Sequence, residues 1–77
     1  MVKLTIKEGQ QAIIEDIGGT KDYQLFLLSL GLIKGTVFTF NYSPQFTKLV
    51  NISLGGKMIA LRTKEFALIS YKIIDHA

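Results

Sequence analysis

"LLSLGLIKGTVFTF", residues 27–40, sets two glycines four positions apart between a leucine-rich run and an alternating aromatic run. Two backbone-permissive residues this close imply two separate turns of the chain. Upstream, "GGTKD" offers Thr20 as a helix N-cap, with Asp22 in the first turn, where the helix dipole favours negative charge. Gly31 fits the left-handed position just past a helix end, and Leu32 then folds back on the last turn near Leu27. Gly35 serves a second turn that launches "TVFTFNY" as a strand. One glycine stops a helix over about residues 20–30; the other starts a strand.

That strand alternates, with Phe38, Phe40 and Tyr42 on one face and Val37, Thr39 and Asn41 on the other. "LVNISL" and "KMIALR" flank Gly55-Gly56, a two-residue hairpin signal. Setting Leu54 opposite Lys57 pairs Ile52 with Ile59 and Val50 with Leu61, so five aliphatics share one side. A one-residue slip would scatter them. "QAIIEDI" presents Ala12 and Ile14 on one face, and "LISYKII" presents Ile69, Tyr71 and Ile73. Between the last two strands, "TKEFAL" reads as a short helical turn capped by Thr63. The pattern predicts a mainly β fold: a small five-stranded barrel that closes on itself, with one inserted α-helix and a helical turn before the last strand.

Composition sets the outer limits. Seventy-seven residues at 48% hydrophobic and 19% charged make a single domain, residues 1–77, and exclude a disordered tail. Without cysteine there is no disulfide framework and no zinc knuckle, which fits a reducing cytosol. "MVKLTIKEGQ" lacks the apolar segment of a signal peptide, and apolar runs such as Leu25 to Leu28 are too short to span a bilayer. The net charge of +3 comes from scattered lysines, whereas a nucleic-acid footprint would cluster them.

Several stretches together resemble the ferrous iron transport protein A (FeoA) family, nearly end to end. "KLTIKEGQQAIIEDI" looks like the family's opening turn and strand, with Gly9, Ala12 and Ile14 in place. "LLSLGLIKG", Leu27 to Gly35, is similar to its most distinctive signature. "IALRTKEFALI", Ile59 to Ile69, resembles its closing strand and helical turn, including Leu61, Arg62 and Glu65. The resemblance implies an SH3-like barrel acting in the cytoplasm beside a ferrous iron permease that carries a G-protein domain. It implies an accessory or regulatory protein of ferrous iron transport, not an enzyme. A related domain ends some metal-dependent repressors. Two departures bear on the partner: "YQLF" lacks the family's usual basic residues early in the helix, and "SPQFTKL" keeps only Pro44 of its Ala-Pro and Gly-Asp-Pro loop. If those features contact a partner, this chain contacts it differently or serves a divergent one.

Catalytic or ligand-holding groups are sparse. The one histidine, His76, is next to last, and with Asp75 it lacks further ligands at metal-binding spacing. Glu15 and Asp16 are adjacent on a strand and should point to opposite faces, a poor acid–base pair. "GGKM" ends in Met58 where a phosphate loop needs Ser or Thr, so Gly55-Gly56 is a turn. No cofactor, metal or nucleotide is expected. A small nucleic-acid-binding barrel is the alternative function, with Phe38, Phe40, Tyr42 and Phe46 as its stacking groups. Burial habits favour core for the first three, so nucleic acid is not the expected partner.

The helix carries the candidate site. At about 100° per residue, Tyr23, Phe26, Leu27 and Leu30 fall in one arc and should face the barrel. Leu25 and Leu28 fall opposite, with Lys21, Gln24 and Ser29 around them. The candidate partner-binding set is therefore Leu25, Leu28 and Phe46, with Gln24 and Lys48 as the polar rim. The partner expected from the resemblance is the permease's cytosolic domain, bound by protein–protein contact without membrane insertion. Weak self-association is left open.

Overall fold

Gly31 has φ of +88°, and the helix ends on it. The computed structural model describes residues 6–42 and 48–74. Helix α1 is Lys21–Ser29, with Thr20 as N-cap accepting from the Tyr23 N–H at 3.1 Å. At the other end the Leu32 N–H reaches the Leu27 carbonyl at 2.9 Å, and the Gly31 N–H reaches the Leu28 carbonyl at 3.0 Å. This pair of bonds is the Schellman motif, and it brings Leu27 and Leu32, both fully buried, together in the core. A Cβ at Gly31 would lie 3.2 Å from the Leu54 Cδ2 atom. Gly31→Val should therefore lower stability by about 1 to 3 kcal/mol, from left-handed strain on a β-branched residue plus this close approach. Thermal unfolding tests it, since 1 kcal/mol shifts the midpoint of a domain this size by roughly 4 to 8 °C. An unchanged midpoint would mean the helix stop does not depend on the glycine.

The strands are β1 Gln11–Ile17, β2 Val37–Tyr42, β3 Leu49–Leu54, β4 Lys57–Arg62 and β5 Ile69–Ile73. They form one antiparallel sheet in the order β4-β3-β2-β1-β5. Ladder β3–β4 pairs Leu54 with Lys57, Ile52 with Ile59 and Val50 with Leu61, the register set by the side-chain pattern. Gly55 and Gly56 both have positive φ, +55° and +83°, as the tight turn requires. Val50, Ile52, Ile59 and Leu61 are buried, and Leu54 packs against them partly exposed. Ala12, Ile14, Phe38, Phe40 and Ile69 are buried as their alternation predicts, with Tyr71 and Ile73 half-buried beside them. The side chain of Tyr42, assigned to the same face, lies outside the described residues. Two ladders carry an extra residue: Glu15 in β1 against β5, and Asn41 in β2 against β3. Such bulges bend the sheet. Both Glu15 and Asp16 end up exposed around the first of them.

The barrel expected from the sequence is not closed: the five strands form one sheet with β4 and β5 at its edges. Among the described residues no ladder joins β4 to β5; a short helix, α2 Thr63–Phe66, links them. Its cap also differs from expectation. Thr63 is already helical and Arg62 is the N-cap, its backbone N–H donating to Glu65 Oε1 at 2.9 Å. The Thr63 N–H donates to the Lys48 carbonyl at 2.8 Å while its own carbonyl accepts from the Ala67 N–H at 3.0 Å, so Thr63 opens the helical turn from the end of the β3–β4 ladder. α2 drops Phe66 into the core against Phe38, Phe40 and Tyr71. Helix α1 is tied to α2 where Tyr23 hydrogen-bonds Glu65, and at its other end Gly31 approaches Leu54, the last residue of β3.

Candidate functional site

Helix α1 has only one fully buried residue, Leu27, with Tyr23 and Leu30 packed partly against the core. Phe26, expected to face inward, is 48% exposed. It lies 100° around the helix from Leu27, at the margin of the buried arc, and the half-buried Tyr23 and Leu30 fill that side. Leu25 and Leu28, expected outward, are 51% and 53% exposed.

The two leucines share a contiguous surface. With Ile17, Leu32 and Ile33 they line an open groove of 330 Å³, whose remaining walls are Asp16, Lys21, Gln24 and Lys34. Ile33 is 45% exposed and did not figure in the sequence-based site. Its signal was present: once the helix cap commits Leu32 to the core, the next residue in an extended turn must point away. Gln24 does more than rim the groove. Its amide donates to the carbonyls of Ile17 at 3.2 Å and Gly19 at 3.4 Å, tying α1 to the end of β1. Lys48 does not line the groove; it precedes β3 with φ of +55° and its carbonyl serves Thr63. Phe46 lies outside the described residues, as do Asp75 and His76.

On its core side, α1 is anchored by Tyr23. Its hydroxyl donates to the Glu65 carbonyl, joining α1 to α2. Burial, and secondly the Glu65 carboxylate charge, push its pKa from 10.0 up to about 12. A phenol harder to ionise when folded contributes stability that is fully present below pH 10 and is lost as pH rises from 10 towards 12. Denaturation of wild type and Tyr23→Phe across that window should show the wild type losing stability more steeply. Parallel pH profiles would contradict the anchored hydroxyl.

Polar chemistry is thin elsewhere. Among the described residues no three His, Cys, Asp or Glu side chains converge to hold a metal ion, and no helix is long and apolar enough to cross a membrane. Phe38 and Phe40 are buried, so β2 offers neither ring as an exposed stacking platform.

The FeoA domain family matches residues 4–72. The crystal structure of an iron uptake regulatory protein (FeoA) superposes with TM-score 0.80 at 21% identity, covering 91% of this chain and 90% of that one. The solution structure of FeoA from Chlorobium tepidum gives 0.84 at 18% identity, over 95% of this chain and 70% of that one. The zinc-bound structure of ScaR gives 0.81 at 23% identity, over 90% of this chain but only 34% of ScaR. Likenesses at these identities show a shared fold. Comparison with curated proteins found no match.

Proposed function

Because this chain belongs to the FeoA domain family, which is associated with ferrous iron uptake, we propose that it is a non-enzymatic cytosolic accessory protein that binds and modulates the G-protein-containing cytosolic part of the iron permease. The observation that carries the reading is the groove on the outer face of α1. Leu25, Leu28 and Ile33 are about half exposed there, side by side, on a rigid scaffold whose core is already complete. Contiguous apolar surface of this kind marks a contact site, whereas scattered exposed leucines do not. The sparse polar chemistry around it suits binding better than catalysis.

The nucleic-acid alternative loses support from the burial of Phe38 and Phe40. Phosphate-driven binding would also weaken steeply as salt rises, whereas a leucine contact persists. An amide shift map of the labelled protein, titrated with the permease's cytosolic domain, tests the proposal. Shifts should concentrate at Leu25, Leu28 and Ile33. An unshifted spectrum at saturating partner would sink it.

A further inference from the structure

We infer that the α1 groove receives an amphipathic helix of the partner whose apolar stripe is flanked at both ends by carboxylates, an inference that rests on the protein-binding reading above. Three observations select this occupant. Lys21, Leu25 and Leu28 follow at i, i+4 and i+7, one ridge along α1, and Ile33 stands across the groove from it. Such a ridge with a facing apolar wall is the geometry into which a second helix packs its own side chains.

An extended segment would need a row of free backbone groups, whereas the α1 wall of the groove is internally bonded and the N–H groups of Gly31, Leu32, Ile33, Gly35 and Thr36 in the loop wall are already taken. In the following loop, Gly31 and Leu32 donate to the Leu28 and Leu27 carbonyls, and Ile33 donates to Thr36 Oγ1 at 3.3 Å. Gly35 donates to the Ile14 carbonyl at 2.7 Å and Thr36 to the Ile33 carbonyl at 3.0 Å. Recognition must therefore run through side chains.

Charge then specifies the flanks. Lys21 lies at the start of α1 and Lys34 beyond its end, and among the described residues neither has an ion pair. Lys21, the first residue of the nine-residue α1, and Lys34, in the turn after it, both line the groove, and two cations beside an apolar strip match acidic residues bracketing a leucine stripe. Asp16, the groove's single acid, disfavours any carboxylate placed against it, so the flanking acids must sit towards Lys21 and Lys34.

The test uses the full chain, isotope-labelled, and two stapled helical peptides of about 14 residues, a length near that of an average helix. One carries leucines at i, i+3 and i+7 with Glu at both flanks; the other has Lys for every Glu. The acidic peptide should shift the amides of Leu25, Leu28, Ile33 and Lys34 and bind about tenfold tighter than the basic one. The Lys21→Glu, Lys34→Glu double variant should invert that preference, and Glu at position 21 suits a helix start, so the fold is kept. Equal affinity of the two peptides, shifts away from the groove, or no inversion would overturn the inference. If the permease domain shifts these amides while the acidic peptide does not, the charge-flanked helix is wrong and the adaptor role stands. If the acidic peptide binds here and the permease domain does not, the groove chemistry is right and the adaptor role is wrong.

Discussion

Phe66→Ala is expected to lower unfolding free energy by about 3 to 5 kcal/mol, the usual cost of truncating a buried phenylalanine. The ring is 1% exposed and sits at the centre of the aromatic core. It meets Phe38 edge-on at 5.9 Å, Phe40 at 6.0 Å and Tyr71 at 5.5 Å, so its removal strips partners from three other side chains at once. Those partners belong to β2 and β5, while Phe66 itself comes from the turn that follows β4. The loss thus falls where the sheet has no ladder between its outer strands. Against a total stability of about 5 to 15 kcal/mol for such domains, the variant should be close to unfolding at room temperature. Urea titration checks this, and Phe66→Leu, which keeps much of the volume, should recover a large part of the loss. A cost below about 1 kcal/mol for the alanine variant would mean that α2 does not hold the open side.

Much of this architecture is legible in the residues because two local rules fix it. A two-residue glycine turn sets the β3–β4 register, and the period of two in side-chain direction makes any other pairing bury polar groups. The α1 stop is equally local, since Gly31 and Leu32 complete their bonds within the last turn. What fails in the sequence is what depends on distant surfaces. Phe26 belongs to an apolar arc on a helical wheel, but the width of the core under the helix decides how much of that arc is buried, and Leu27 with its flanks fills it. Thr63 has the chemistry of a cap, yet Arg62 holds the N-cap position and Thr63 is already the first helical residue. That the sheet stays open between β4 and β5 is likewise invisible to periodicity, which reads strands without their free edges.

The candidate groove is partly legible for the same reason. Leu25, Leu28 and Gln24 share one face of a short helix, and spacing alone brings them together. Lys48 does not line the groove, because chain proximity to the candidate loop says nothing about where it stands relative to α1. Ile33, Lys34 and Asp16 join the groove only through the fold, by the turn after α1 returning beside the end of β1.

Leu25→Glu bears on the central claim, that the outer face of α1 is the contact surface and not part of the core. At 51% exposure the position tolerates a charge, so stability should change by no more than about 0.5 kcal/mol. Anchors at the centre of an interface contribute about 1 to 4 kcal/mol each, and a buried unpaired carboxylate adds to the loss. Calorimetric titration of Leu25→Glu with the permease's cytosolic domain, beside its thermal unfolding curve, is the direct measurement. The account predicts an unfolding midpoint near wild type and affinity reduced at least about fivefold, 1 kcal/mol being that factor. Wild-type affinity in a folded variant, or a variant that unfolds, would contradict it.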